Sequence, residues 1–484
     1  MTVSQLTAGA SWLTVGSLLV GQADACEISL SDVVPDAQSS FYDLYALRSR
    51  GGSPTITDPA GSWSGEEAYV HSLAAAGFLS GLARPRDRVA LELPSGRDWV
   101  AFATGSWLAG LVVVPIDSRW PRSRRERVLS SCAVHITELE VGRAWSDLDV
   151  LGGPPARVVA GEDPALVLFT SGTTGPPKEV VHSTASLEAQ ATAGALATGL
   201  GPNSMWLIPM PLTHAGGIGA VVRCLCAGSA MTLLPKFDAQ ECAALLQGRE
   251  QGSAITHVSF VPTMLGRALA AGLSDPPTLE VALIGGAPLD PALRREAVSK
   301  GIPVRESWGM TETLGLISLA GISDDGGSGL LLEGLELRVG TDSELSVRGA
   351  MIAPSAIGKD KWLHTGDVGS FVDGRVRITG RLGSMIISGG ENVSPDAVEA
   401  ALRELDGVMD ALVYGVSDPE WGQRVEADVV LSAGRSLDAE GIIQSLSLVL
   451  SPWEIPKSFS AVDEIQRDQL GKIDRSSDDT SSEL

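Results

Sequence analysis

The segment Leu166-Val167-Leu168-Phe169-Thr170-Ser171-Gly172-Thr173-Thr174-Gly175-Pro176-Pro177-Lys178 runs from apolar residues into a loop of hydroxyls and glycines closed by a lysine. Glycines let backbone N–H groups converge on an anion, hydroxyls add donors, and a lysine adds a mobile positive charge. Thr170, Ser171, Gly172, Thr173, Thr174, Gly175 and Lys178 therefore read as a phosphate grip. The grip is not a Walker A loop, because the G-x-x-x-x-G-K-[ST] spacing is absent and Glu179 follows Lys178. Glu179 adds a negative charge beside the grip and is expected to point outward.

Other groups capable of chemistry follow at intervals. Pro209-Met210-Pro211-Leu212-Thr213-His214 presents an imidazole, and Arg223 interrupts the apolar run after it. Gly285-Gly286-Ala287-Pro288 and Trp308-Gly309-Met310-Thr311-Glu312-Thr313 come next. His364-Thr365-Gly366-Asp367, Gly380-Arg381, Ser388-Gly389-Gly390-Glu391-Asn392 and Gly471-Lys472-Ile473-Asp474-Arg475 complete the series.

The elements that must position these groups alternate strand with helix. Residues 87–93 and 256–261 read as strands, and 99–115 as an apolar helix followed by a strand. Thr263 begins a helix to Ala271; Val281-Ala282-Leu283-Ile284 is a fully apolar strand; Asp290 caps a helix whose first residue is Pro291; Val304 opens the next extended piece. This order predicts buried parallel strands, with ligand-binding loops at their carboxyl ends. After Gly349 the texture changes to short hairpins over 363–380, with Asp373-Gly374 as a turn. A smaller α+β unit follows, with a helix over Pro395–Leu405 and a strand at 411–414. The expected fold class is α/β: a large N-terminal domain of layered α/β sheets with a small β subdomain (1–381), a small mobile α+β C-terminal domain (382–475) and a disordered tail (476–484).

Bulk properties narrow the partners. A net charge of −23 over 484 residues disfavours nucleic acid and anionic membrane surfaces. Five cysteines without a C-x-x-C pair argue against a disulfide framework or a zinc site and fit a reducing cytoplasm. The apolar stretch at 11–20 has no preceding Lys or Arg, and no run reaches the length of a spanning helix. The sequence leaves a homo-oligomer open.

The ordered motifs, from about residue 60 to 475, resemble the adenylate-forming superfamily of acyl-CoA synthetases, peptide-synthetase adenylation domains and luciferases. That resemblance implies a two-step reaction with ATP, Mg²⁺ and coenzyme A: a carboxylate attacks the α-phosphate of ATP, pyrophosphate leaves, and a thiol then displaces AMP. It also implies roles. The grip would hold the β- and γ-phosphates, Glu312 would bind Mg²⁺ and Thr311 the α-phosphate. Gly286, Ala287, Pro288 and Gly309 would line the nucleotide. Trp308 would stack on adenine where the family more often has Tyr, and Asp367 with Arg381 would take the ribose hydroxyls. Lys472 would place an ammonium between carboxylate and α-phosphate, His214 would gate the acyl pocket, Gly389 and Gly390 would leave room for pantetheine, and Gly383 would be the hinge of the small domain.

Subfamily texture resembles o-succinylbenzoate–CoA ligases of menaquinone biosynthesis: His214-Ala215-Gly216-Gly217-Ile218, Arg223, Lys236-Phe237-Asp238, residues 256–265 and residues 385–393 carry it. Peptide-synthetase domains place an Asp after the histidine to bind an amine; Ala215 argues against an α-amino acid. Gly216 and Arg223 are candidates for the acid pocket, Arg223 either as partner of a second carboxylate or as a helix-surface arginine. The alternatives are another aryl- or acyl-CoA ligase, an acyl-AMP ligase loading a carrier protein, or a non-catalytic nucleotide-binding protein; the last should lack Lys472, Glu312 or the grip, and all three are present.

Overall fold

The computed structural model describes residues 55–120, 122–141, 161–170, 178–248, 254–322, 324, 327–382, 386–388, 391–418, 422–450 and 452–467. One five-stranded sheet contains β1 (Arg88–Leu91), β2 (Val112–Pro115), β3 (Val134–Ile136), β4 (Pro164–Thr170) and β5 (Lys178–Ser183), in the order β3-β1-β2-β4-β5. Its first four strands are parallel, and β5 returns antiparallel to β4 with Thr170 opposite Lys178. The apolar run before the grip is thus one arm of a hairpin whose ends the register fixes. The helix α1 (Thr184–Thr198) leaves β5 directly, capped by Ser183, whose hydroxyl accepts from the Ser186 N–H.

A second sheet has thirteen strands among the described residues. Its centre is parallel: β6 (Met205–Ile208), β7 (Ala230–Leu233), β8 (His257–Phe260), β9 (Val281–Ile284) and β10 (Val304–Trp308) lie in the order β7-β6-β8-β9-β10. Helix α2 (Ala215–Ala227) joins β6 to β7. All four residues of β9 are buried because it faces two cores: Val281 and Leu283 pack into one cluster, Ala282 and Ile284 into another. Each large aliphatic side chain so placed stabilises the sheet by roughly 1.5–3 kcal/mol. Beyond β10 the sheet turns antiparallel and contains the hairpin β11 (Leu363–Val372) and β12 (Arg375–Arg381), with Asp373 and Gly374 at φ 52° and 76° in its turn, before it continues through residues 344–349 to an edge strand at 335–339.

A third sheet, built from residues 386–388, 391–393, 408–418, 422–431 and 458–461, packs the helix Pro395–Arg403 against its core. Ser394 caps that helix and also donates to the Thr379 carbonyl in β12.

Several boundaries differ from the sequence reading. The helix after β8 begins at Pro262, in the first-turn position that proline suits, and not at Thr263. The strand expected at 411–414 extends over 408–418, because it pairs along its whole length with 422–431. The strands 335–339 and 344–349 were not expected.

Candidate active site

Four loops leave the carboxyl ends of neighbouring parallel strands: 209–214 after β6, 261 after β8, 285–288 after β9 and 309–312 after β10. In open α/β sheets this edge is where ligands bind. Gly286 takes a left-handed φ of 85°, which glycine adopts without a Cβ penalty. At Gly309 a Cβ would lie 2.2 Å from the Gly315 carbonyl oxygen, so only glycine lets the chain cross itself there.

Trp308 ends β10 and is 6% exposed. Its indole Nε1–H donates to Oδ2 of Asp367 at 2.7 Å. Arg381, directly opposite Asp367 in the β11–β12 register, brings Nε to 3.1 Å from Oδ1. Arg381 also donates from Nη2 to the Thr365 carbonyl at 3.1 Å. Three residues drawn from three strands thus meet on one buried carboxylate.

After Gly309, residues Thr311–Thr313 form a single 3₁₀ turn, closed by Leu314 at a left-handed φ of 48°. A non-glycine residue in that region is strained, and full burial of the Leu314 side chain holds it. The turn is also pinned from behind. His182 in β5 donates from Nε2 to the Thr311 carbonyl at 2.9 Å, and the Ala353 N–H donates to the Glu312 carbonyl at 2.8 Å. Ser355 hydrogen-bonds Val181 of β5, adding a second tie between the grip hairpin and this region. Burial pushes the His182 imidazole down to about 4, against the Thr311 carbonyl, which favours its proton; the ring is neutral at pH 7. Glu312 is half-buried on this fixed turn, an arrangement suited to offering its carboxylate to a hard cation.

Thr170 and Lys178 stand at the ends of the grip, the threonine hydroxyl donating to the Lys178 carbonyl at 3.4 Å. Glu179 lies on the outer side: Arg88 donates to both its carboxylate oxygens, at 2.9 and 2.7 Å, and holds it below the usual carboxylate range. His214 is the N-cap residue of α2 and is half-buried. Close by is Asp117, at the carboxyl end of β2. Burial pushes its carboxyl up, but hydrogen bonds and charge from Arg119, with a smaller electrostatic contribution from His214, outweigh that and leave it lowered.

Arg223 is buried in α2, not on its surface, at 1% exposure. Its Nη1 reaches Gln190 Oε1 at 3.5 Å and its guanidinium lies 5.1 Å from the Trp206 ring centroid. Nε has no hydrogen-bond partner, and no carboxylate pairs with the group among the described residues. A Cβ at Gly194 would lie 2.7 Å from Arg223 Cδ, so α1 must be bare where the arginine passes. Burial pushes its pKa down to about 10, so it remains a cation at neutral pH. Gly216, in the first turn of the same helix, packs against Met210.

Ser171, Gly172, Thr173, Thr174, Gly175, Gly383, Gly389, Gly390 and Lys472 lie outside the described residues. His182, Asp117 and Gln190 were not singled out from sequence. Asp117 carried a usable signal, its place just past a parallel strand, whereas the partner of His182 is 129 residues away and no local pattern announces it. His257 is fully buried, with its ring nitrogens bonded to the Thr256 hydroxyl and the Thr198 carbonyl.

The chain matches the family described as AMP-binding enzyme over residues 45–146 and 137–353, and the AMP-binding enzyme C-terminal domain over 397–472. It is 31% identical to a 2-succinylbenzoate–CoA ligase of Bacillus licheniformis over 80% of this chain and 88% of that one. It is 28% identical to one from Staphylococcus epidermidis over 90% and 96%. The fold superposes on o-succinylbenzoate CoA synthetase from Bacillus subtilis in complex with its acyl-adenylate intermediate, with a TM-score of 0.78 at 24% identity, covering 91% and 98% of the two chains. ATP-bound MatB from Rhodopseudomonas palustris superposes equally well, at TM-score 0.78 and 23% identity over 90% and 97%.

Proposed function

The chain belongs to the AMP-binding enzyme family, and from that premise we propose that it is an ATP-dependent, AMP-forming carboxylate–CoA ligase whose acid is o-succinylbenzoate. A carboxylate oxygen of the acid attacks the α-phosphorus of ATP, the bond to the bridging oxygen breaks, and pyrophosphate leaves. The sulfur of coenzyme A, having lost its proton, then attacks the acyl carbon of the mixed anhydride, and AMP departs. The nucleotide lies along the carboxyl edge of β9 and β10, with its ribose at Asp367 and its α-phosphate at Thr311. Glu312 is the residue that holds Mg²⁺, which when bound neutralises phosphate charge. The grip from Thr170 to Lys178 takes the β- and γ-phosphates. Lys472 offsets the repulsion between the two reacting anions, Gly389 and Gly390 admit the pantetheine arm, and Gly383 is the hinge about which a domain of residues 382–475 turns.

The observation that carries the acid assignment is Arg223. A buried guanidinium without a carboxylate partner is unfavourable alone and matches a substrate with a second carboxylate. It stands nine residues after His214 on the helix that begins at the proposed acyl gate. The match to curated ligases of this name supports the same acid. No helix among the described residues is long and apolar enough to cross a membrane, and a cytoplasmic location is part of this proposal. The test is pyrophosphate release from a panel of aryl and alkyl acids with and without coenzyme A. The proposal expects o-succinylbenzoate to give the highest kcat/KM and a thioester only when coenzyme A is present. A monocarboxylic acid preferred over it would overturn the substrate, and thioester formation only on a carrier protein would overturn the acceptor.

A further inference from the structure

We infer that Trp308 is a positioning residue for the nucleotide's ribose: its indole N–H orients the Asp367 carboxylate, and it thereby sets how strongly the site discriminates for the ribose hydroxyls. The inference rests on the ligase reading for the ligand and on the geometry for the residue. The Trp308 Nε1 to Asp367 Oδ2 distance is 2.7 Å, and the two residues are 6% and 8% exposed. An indole N–H donates and never accepts, so this contact favours the ionised carboxylate and fixes which oxygen faces the ring. The other oxygen is held by Arg381 Nε at 3.1 Å, but that guanidinium is 58% exposed, and pairs of that kind are weakened by water and salt. The dry, directional restraint is therefore the indole. A charge-assisted hydrogen bond sheltered from solvent is the stronger kind. Backbone support completes the seat: the Asp367 N–H donates to the Thr365 hydroxyl at 3.0 Å, and that hydroxyl donates to the Leu345 carbonyl at 2.5 Å.

A carboxylate oxygen has two lone-pair directions. Trp308 on one oxygen and Arg381 on the other fix the plane of the carboxylate that a pair of vicinal hydroxyls would donate to. An aromatic ring without an N–H at this point would remove the sheltered restraint on Oδ2 and leave the solvent-exposed Arg381 contact on Oδ1. Trp308 then serves through Asp367, in addition to any contact its ring makes with a base.

Calorimetric binding of ATP and 2′,3′-dideoxy-ATP to the full chain tests this. The readout is the ratio of the two Kd values, which a merely structural or stacking role would not move. Wild type is expected to prefer ATP; Trp308→Phe should shrink that preference about 10-fold, Asp367→Asn by a similar factor, and the double variant no further, since both act on one contact. If Trp308→Phe weakens both nucleotides equally and leaves the ratio unchanged, the inference fails while the ligase reading stands. Wild type that binds neither nucleotide overturns the ligase reading and this inference with it. Should Trp308→Phe not fold, indole ¹⁵N–¹H spectra of the wild type and of Asp367→Asn decide: one of the eleven tryptophan resonances must shift on losing its carboxylate partner. No shifted resonance would overturn the inference.

Discussion

Asp367 and Arg223 are both charged and both more than nine-tenths buried, yet the protein treats them differently. The Asp367 carboxylate meets an indole N–H on one oxygen and a guanidinium on the other. The Arg223 guanidinium meets one neutral amide at 3.5 Å and an aromatic face, with Nε unanswered. A carboxylate satisfied before any ligand arrives is a preorganised acceptor. A buried cation without a counter-charge works against the fold until something anionic joins it. On the proposed assignment, the nucleotide wall is completed by the chain itself, while recognition of the acid is left for the acid to complete.

The largest effect is expected from Lys472→Ala, which leaves both regions intact. Adenylate formation should fall about 10²–10³-fold, the size typical of losing one donor to a developing charge, with the Kd for ATP little changed. A matching loss of ATP binding would show that the nucleotide wall is not self-sufficient and break the comparison.

Acid probes the nucleotide side through His182. Its folded pKa of about 4 lies below its ordinary 6.5, so the unfolded chain takes up the proton first. The contribution is complete above pH 6.5 and is lost as pH falls toward 4, by roughly 3 kcal/mol at most. The difference in unfolding free energy between wild type and His182→Gln, followed across that window, should change in this direction; a flat difference contradicts the buried neutral imidazole.

Arg223→Met sharpens the comparison most. It should raise KM for o-succinylbenzoate about 10–100-fold while leaving benzoate almost unchanged, the loss of one charge-assisted contact. At the same time unfolding free energy should hold or rise, by about 1–4 kcal/mol where a buried charge gives way to an apolar group. Asp367→Ala should instead destabilise by about 1–3 kcal/mol, because the Trp308 N–H loses its acceptor. Equal destabilisation by both variants would erase the distinction.

The smallest effect belongs to Glu179→Gly. It removes a half-exposed pair with Arg88, worth about 0–1 kcal/mol, and should preserve or improve ATP affinity. A clear loss of pyrophosphate exchange would place Glu179 inside the grip.

The sequence displayed the motifs and the parallel strands because both are local: an apolar four-residue run such as Val281–Ile284 needs no distant partner to be read. It did not display what depends on distance. The hydrogen bond from His182 to Thr311 spans 129 residues, and that from Trp308 to Asp367 spans 59. Burial of Arg223 was equally hidden, since an arginine in a helix fits a wet face as well as a dry one until α1, bare at Gly194, is packed over it. The hairpin over 335–349 was legible and passed over: Leu335, Leu337 and Val339 alternate with Glu336 and Arg338, and Leu345 and Val347 with Ser346 and Arg348.

The most direct measurement is mass spectrometry of the quenched reaction of the purified chain with ATP, Mg²⁺ and o-succinylbenzoate, coenzyme A withheld. The expected result is the o-succinylbenzoyl adenylate accumulating in wild type and strongly reduced in Lys472→Ala. Absence of any mixed anhydride across a broad acid library, with wild type and Lys472→Ala indistinguishable, would contradict it.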